Sequence, residues 1–459
     1  MNQSAPPGTL AHRMQRTPYQ AYSYSYPHKA AYRPLQQAES LERLWSEQDR
    51  SALFAYIHIP FCEMRCGFCN LFAMARPQPD MVDRYVEQVV KQMRVLDRVL
   101  GQRRFARFAI GGGTPTYLTP LQLQALLNGA RDILGIDLHT TPAGIEASPE
   151  TVSPERLAVC RSMGIDRVSL GIQSFSADEM RSLARPQQNS IVQQAIRQIR
   201  DAGFPTLNLD LIYGIAGQTV ASLLASIDSA LAFAPEELYL YPLYVRAHTG
   251  LGKVAKRKGA TSFDPIMLMQ DGDSRLALYE AARDHLRARG YVQVSMRMFR
   301  APHAPEQQGP SYCCQNDGMV GLGAGARAYT QRLHYSSDYA VGRRGTINII
   351  NDYLSIDEAR FAQAEHGFAL GPQEQRRRYV IQSLLTDPGL DLLAYVERFG
   401  TDCLHDLPQL LELDQLDLLE AHAGMLRLNE RGYAYADTIG PWLASDEVRS
   451  LMAEGGPAC

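Results

Sequence analysis

Three cysteines, Cys62, Cys66 and Cys69, sit in the run Tyr56-Ile57-His58-Ile59-Pro60-Phe61-Cys62-Glu63-Met64-Arg65-Cys66-Gly67-Phe68-Cys69, directly after an apolar stretch that reads as a strand. Thiolates are the ligands that iron-sulfur clusters select. Four would fill every iron of a cubane cluster, whereas three within eight residues leave one iron open to bind substrate. Zinc is the alternative metal, but it needs a fourth ligand with a second paired spacing. None is evident: Cys313 and Cys314 are adjacent, and two adjacent thiols do not easily reach one metal together. A three-cysteine cubane is favoured over zinc and over three buried structural thiols.

The second chemistry-bearing element is Gly111-Gly112-Gly113-Thr114-Pro115, at the end of the next strand-like stretch. Three glycines let the backbone approach a ligand closely and present peptide N–H groups to it. Alone, such a run is a plain tight turn.

These residues have to be positioned by a scaffold, and the chain alternates between short apolar strands and amphipathic helices from 51 to about 245. Strands are expected at Leu53–Ile59, Phe105–Gly111, Gly144–Ala147, Arg167–Ile172, Thr206–Ile212 and Leu238–Tyr244. Helix patterns lie between them, such as Thr119–Leu134, where Thr119 caps and Pro120 fits the first turn, and Ile191–Ala202, which ends before Gly203. Six such alternations mean a parallel sheet, whose working loops follow the C-terminal ends of the strands. The cysteine loop falls immediately after the first strand.

Residues 1–50 carry Tyr19, Tyr22, Tyr24, Tyr26 and Tyr32 without helical or alternating patterning and read as an extended arm, either loosely ordered or folded over the active site. The segment 51–330 reads as the catalytic core with its extension: a helix over Pro265–Arg289, a strand-like Tyr291–Phe299, and a glycine-rich Gly318–Ala326 read first as a tight turn and second as a ligand-facing loop. Residues 331–370 read as a linker segment, and 371–459 as a helical domain with helices at Gln373–Leu385, Asp391–Phe399 and Asp414–Ala423. An alternating Met425–Ala436 then suggests a hairpin. Helices followed by a hairpin suggest a winged-helix-like shape, but Asp402, Asp406, Glu412, Asp414, Asp417 and Glu420 make it acidic, which argues against nucleic acid.

Composition is that of a soluble globular protein. Of the 459 residues, 45% are apolar and 21% charged, and 46 basic against 49 acidic residues give a net charge of −3. The start, Met1 to Thr9, lacks the apolar core of a signal peptide and no apolar run approaches membrane-spanning length, so a cytoplasmic protein is expected. Eight cysteines with three clustered favour metal binding in a reducing compartment over a disulfide framework; Cys160, Cys403 and Cys459 read as ordinary thiols.

The cysteine spacing followed by the glycine run resembles the radical S-adenosylmethionine (SAM) superfamily. Tyr56 to Cys69, the glycine run, Ile145-Glu146-Ala147-Ser148-Pro149, Arg167-Val168-Ser169-Leu170-Gly171-Ile172-Gln173-Ser174-Phe175, Arg185 and Asn208-Leu209-Asp210-Leu211-Ile212-Tyr213-Gly214 resemble its oxygen-independent coproporphyrinogen III oxidase-like (HemN-like) branch. The likeness spans about 50 to 245 and weakens towards the end. It implies an α/β fold, a partial (β/α)6 barrel with an N-terminal arm and a C-terminal helical, winged-helix-like domain.

The resemblance also implies the chemistry. Cys62, Cys66 and Cys69 would hold a [4Fe-4S] cluster whose open iron chelates SAM. Gly112, Gly113 and Thr114 match the element that holds the methionine amino group, and Glu146 matches an acidic residue at the methionine moiety. Gln173, Arg185 and Asp210 match residues around the ribose and carboxylate. Carboxylates accept from an ammonium or ribose hydroxyls, and Arg binds a carboxylate through two N–H groups; the plain alternative for each is a surface ion pair or a strand-end polar group. Tyr56, the catalytic candidate, resembles a family tyrosine near cluster and SAM, though a strand tyrosine is also an ordinary packing residue. In the family, one electron from the reduced cluster breaks the sulfonium bond, and a 5'-deoxyadenosyl radical abstracts hydrogen from a small-molecule substrate. The electron comes from a donor such as flavodoxin or ferredoxin.

Departures refine the expectation. Coproporphyrinogen oxidases carry a further cysteine two residues beyond the third, where this chain has Leu71, which argues against porphyrinogen decarboxylation. Haem chaperones carry a His-Asn-x-x-Tyr-Trp motif where this chain has Met296-Arg297-Met298-Phe299-Arg300. Chains with Cys-Gly-Phe-Cys-Asn and an arm Tyr-Pro-His-Lys, here Tyr26 to Lys29, stand near haem-degrading and methyl-transferring HemN-like enzymes, which bind two SAM molecules. The expected reaction is C-methylation or radical rearrangement of an unsaturated small molecule, with oxidative decarboxylation second and a haem-binding chaperone third. Cys313 and Cys314 read either as hydrogen donors in the site or as small apolar residues of a packed loop.

Overall fold

A computed structural model describes residues 8–16, 18–23, 25–257, 273–306 and 318–454. Thirteen strands of the described residues form one sheet. The first, β1 (Arg33–Ser40), lies in the arm, and six more alternate with helices: β2 (Leu53–Ile59), β3 (Phe105–Gly112), β4 (Ala143–Ala147), β5 (Arg167–Gln173), β6 (Thr206–Tyr213) and β7 (Glu237–Pro242). The extension adds β8 (Val292–Gln293), β9 (Met298–Arg300), β10 (Met319–Leu322), β11 (Arg327–Tyr329), β12 (Leu333–Ser336) and β13 (Gln363–Ala369). Strands β2 to β7 pair in parallel and in sequence order. This is the six-stranded α/β half-barrel expected from the alternation. Strand β10 pairs in parallel with the outer edge of β2 and leads to antiparallel β11, β12, β13 and β1; β9 and β8 extend the edge at β7.

The alternation of side chains along each strand places the site. On β5, Val168, Leu170 and Ile172 are fully buried against the helices, while Ser169, Gly171 and Gln173 face the barrel interior. On β6, Leu207, Leu209 and Leu211 pack outward and Asp210 faces in. The helix Pro120–Asp132 begins as its sequence dictates: Thr119 accepts from Gln122 N–H, the Gln122 side chain answers on Thr119 N–H, and Pro120 fills a position that needs no donor.

Several boundaries differ from the sequence expectation. Strand β7 stops at Pro242, which has no N–H to continue a ladder. The strand-like Tyr291–Phe299 is a hairpin of two short strands, β8 and β9. In Gly318–Ala326, read as a turn, Met319–Leu322 forms β10, a strand fixed by its pairing with β2. Of the helix expected at Pro265–Arg289, the described part is Arg275–Arg287, and 258–272 lie outside the described residues.

Residues 331–370, read as a linker, supply β12, β13 and the helix Arg343–Ser355, and the arm contributes β1 opposite β13. The helix expected at Asp414–Ala423 is a correction: the helix is Leu410–Gln415, and Leu419–His422 is a strand paired with Met425–Leu428. Ala423 and Gly424 both have positive φ, 49° and 82°, the two-residue hairpin turn that joins these strands. The hairpin expected over Met425–Ala436 therefore lies one strand earlier, and Glu430–Ala434 is helical, capped by Asn429. With Leu390–Asp391 these strands form a small three-stranded sheet amid helices, the winged-helix-like arrangement. No helix among the described residues is long and apolar enough to cross a membrane.

Candidate active site

The cysteine loop leaves β2 and is fastened on three sides. Phe61–Cys62 pairs with Met74–Ala75, with Met74 N–H donating to Pro60 O at 2.6 Å and Arg76 N–H to Cys62 O at 2.9 Å. Gly67 N–H donates to Leu183 O at 3.1 Å, and Leu251 N–H donates to Gly67 O at 2.8 Å. The Tyr339 hydroxyl donates to Asn70 O, next to Cys69.

The three thiols open onto one cleft at the C-terminal ends of β3 to β6. Its lining includes Cys62, Cys66, Cys69, Gly112, Gly113, Thr114, Glu146, Gln173, Arg185 and Asp210. Every metal and cofactor candidate read from the sequence is thus brought to one place.

The glycine run is shaped by its neighbours. At Gly112, φ is +119° and a Cβ would fall 2.7 Å from the His58 ring. At Gly113 it would fall 2.7 Å from Phe61 O and 2.9 Å from Cys62 Sγ. A larger residue at Gly113 would push the cysteine loop away from the sheet, and one at Gly112 would displace the His58 ring. Thr114 Oγ1 donates to Cys62 Sγ at 3.4 Å.

Glu146 accepts from Gly112 N–H at 3.0 Å. Its exposed surface faces the cleft, whose walls still remove most of the water a free carboxylate would have. Desolvation pushes its pKa up to about 7, against the pull of the Gly112 N–H. Asp210 is pushed up to about 6 by the same cause, moderated by Asn208 and Arg167. Asn208 Nδ2 donates to Asp210 Oδ1 at 2.7 Å and to Ser169 Oγ at 2.8 Å; Arg167 donates to Ser169 Oγ at 2.8 Å and to Glu237 at 2.7 Å. These bonds fix the inward face of β5 to β7.

Gln173 closes β5 at φ +72°, a conformation costly for a residue with a side chain, where the register with β6 shifts. The bulge turns its amide towards the cleft. Arg185, 6% exposed, donates from Nη2 to Gly171 O at 2.8 Å.

Tyr56, read as catalytic, is not in the cleft lining. Its hydroxyl lies 2.9 Å from where a Cβ on Gly111 would stand and 3.4 Å from His58 Nδ1. It therefore packs beneath the glycine run. His58 is held near pKa 4 by burial, neutral, with Nε2 3.0 Å from Phe72 O. Ser148, Glu150, Ser169 and Arg65 line the cleft and escaped the sequence reading. Ser169 was legible as the residue four before Gln173 on the same strand face. Cys313 and Cys314 lie outside the described residues.

The donor set fits an iron-sulfur cluster. Burial pushes the Cys62 thiol up to about 12 and raises Cys66 and Cys69, so thiolates here need a compensating positive group such as a metal. Among the described residues no three His, Cys, Asp or Glu side chains converge as ligands of a single ion would. Three thiols lining one cleft supply the sulfur donors that such a cluster takes.

Comparison with known proteins agrees with this geometry. Residues 56–230 match the Radical SAM superfamily. The chain is 26% identical over 405 residues to the Bacillus subtilis protein named heme chaperone HemW, covering 87% of this chain and 99% of that one. It is 25% identical over 442 residues to the Helicobacter pylori oxygen-independent coproporphyrinogen III oxidase, covering 91% and 90%. The Escherichia coli coproporphyrinogen III oxidase (HemN) structure superimposes with a TM-score of 0.75 over 92% of this chain and 96% of that chain at 22% identity, a likeness of fold.

Proposed function

We propose that this chain, which belongs to the HemN-like branch of the radical SAM superfamily, cleaves SAM reductively and uses the resulting radical for C-methylation or radical rearrangement of an unsaturated small molecule. The observation that carries the SAM reading is the convergence of three thiols, the glycine run, Glu146, Gln173, Arg185 and Asp210 on one cleft. Bound there, a [4Fe-4S] cluster would supply the single electron that breaks the sulfonium bond of SAM.

The protein's own part is to bind and orient. Gly112 and Gly113 let the backbone close on the methionine end of SAM. Glu146 accepts from its ammonium, Arg185 and Gln173 face its carboxylate and ribose, and Asp210 accepts from ribose hydroxyls. Cys62, Cys66 and Cys69 hold the cluster, and a second SAM would serve as methyl donor. We place the protein in the cytoplasm with a flavodoxin- or ferredoxin-type electron donor and no nucleic-acid partner.

Leu71 favours this reading over porphyrinogen decarboxylation. It lines the cleft, 46% exposed, where the oxidases carry a cysteine. The relatives named as oxidases support decarboxylation as the second reading. The relative named as a haem chaperone supports a third, but Arg297, in the segment that would carry a haem motif, is buried in an ion pair with Asp437. Incubation with coproporphyrinogen III, SAM and reductant should give 5'-deoxyadenosine and no vinyl-bearing product. SAM labelled at the methyl carbon should pass label to the true acceptor, with S-adenosylhomocysteine as second by-product. Efficient decarboxylation would replace the first reading by the second.

Glu146→Ala and Asp210→Ala should each weaken SAM binding about tenfold or more while leaving the iron in place, since a hydrogen bond to a charged group contributes ~1.5–3 kcal/mol. The carboxylate that accepts an ammonium must be ionised. With Glu146 near 7 and Asp210 near 6, protons compete with SAM and affinity should fall as pH drops from 8 to 6. Calorimetric titration across that range checks it; Glu146→Gln should remove the part of the fall near pH 7 and leave the part near pH 6, and a parent profile already flat would contradict the assignment.

A further inference from the structure

Arg65 stands between Cys62 and Cys66 in the cysteine loop and is among the residues lining the same cleft as the three thiols. One guanidinium nitrogen, Nη1, donates to Ala73 O at a long 3.3 Å. The other, Nη2, is buried and has no hydrogen-bond partner among the described residues. A buried guanidinium N–H without an acceptor is expensive to leave unmade, so an acceptor is expected when the site is loaded. The candidate SAM-binding Arg185 is tied to Gly171 O on β5, whereas Arg65 is tied to Ala73 O on the returning limb of the cysteine loop itself. The positive charge of Arg65 pulls on the thiols of Cys62 and Cys69, and that of Arg185 on Cys66 and Cys69.

We propose that Arg65 is a cluster-facing cation that donates its free N–H to the sulfur atoms held by Cys62, Cys66 and Cys69 and raises the reduction potential of the cluster. Hydrogen bonds to sulfur and local charge are the levers by which a protein sets such a potential. One electron entering the cluster adds one negative charge, and a fixed guanidinium charge beside it favours the reduced form. Arg65 is a positioning and tuning residue and takes no part in proton or group transfer. The inference rests on the cluster reading above.

The test is an EPR-monitored redox titration of the anaerobically reconstituted full chain, without SAM, for the parent, Arg65→Gln and Arg65→Lys. Arg65→Gln should keep the parent's iron and lose about tenfold in the ratio of reduced to oxidised cluster at a given potential, a downward shift of about 59 mV for a one-electron couple. Arg65→Lys should stay near the parent. Loss of iron from Arg65→Gln with retention in Arg65→Lys also supports the proposal, because charge is what separates the two. Full iron with an unchanged potential in Arg65→Gln would overturn it, as would loss of iron from both variants, which makes the side chain a structural prop. A separate calorimetric titration of the same variants with SAM that shows weakened binding at an unchanged potential would also overturn it and assign Arg65 to the SAM carboxylate. A parent that binds no iron at all would instead sink the cluster reading.

Discussion

Replacing Cys62, Cys66 or Cys69 by alanine should reduce the iron content of anaerobically reconstituted protein from about four per chain to near zero, with loss of the broad visible charge-transfer band, because thiolates are the cluster's ligands. The three thiols line one cleft on a loop fastened at Pro60, Cys62, Gly67 and Asn70, and among the described residues no other thiol lines it. Cys160 is the control: it is 1% exposed in the apolar core, and Cys160→Ala should leave iron unchanged. Cys313→Ala and Cys314→Ala should do the same. Loss of iron in any of these three, or its retention without Cys66, would mean the ligands are misassigned.

The second large effect is expected at Asp437. Its carboxylate pairs with Arg297 and accepts from the Tyr244 hydroxyl, with both partners of the ion pair nearly inaccessible. Its backbone oxygen accepts from Gln20 and Ala21 N–H, both at 3.2 Å, and the Arg297 guanidinium lies 3.6 Å from the Tyr22 ring centroid. One residue therefore joins the C-terminal domain, the turn of the β8–β9 hairpin and the arm. Asp437→Ala leaves a buried guanidinium unpaired, a change that costs ~3–5 kcal/mol. Chemical denaturation should show a loss of that size, and limited proteolysis should cut the arm between 18 and 32 faster than in the parent. A loss below about 1 kcal/mol, the range of exposed pairs, would mean that the pair is not held away from water.

Much of the site was legible because its chemistry is local. Cys62, Cys66 and Cys69 lie on one loop, and Glu146, Gln173 and Asp210 each lie in the C-terminal half of a strand whose apolar alternation is plain, so topology alone gathers them. Tyr56 was harder to place. Period-two alternation puts it on the interior face, but how far up the strand the cleft begins depends on the crossing of Gly111 and His58, which the sequence does not state. Strand β10 was hidden for a different reason: its glycines read as a turn, and only the edge of β2, some 260 residues earlier in the chain, makes it a strand. At Ala423-Gly424 the break between the expected helix Asp414–Ala423 and the alternating stretch from Met425 is legible, but Leu419–His422 is a strand only through its pairing with Met425–Leu428.

The central claim is that the cleft binds SAM against a reduced cluster and cleaves it. The most direct measurement is anaerobic incubation of the reconstituted protein with SAM and a strong one-electron reductant, with 5'-deoxyadenosine quantified over time for the parent and Cys66→Ala. The account predicts steady 5'-deoxyadenosine formation by the parent even without its true substrate and none by the variant. A parent that holds about four irons, is reduced and binds SAM, yet forms no 5'-deoxyadenosine, would contradict it.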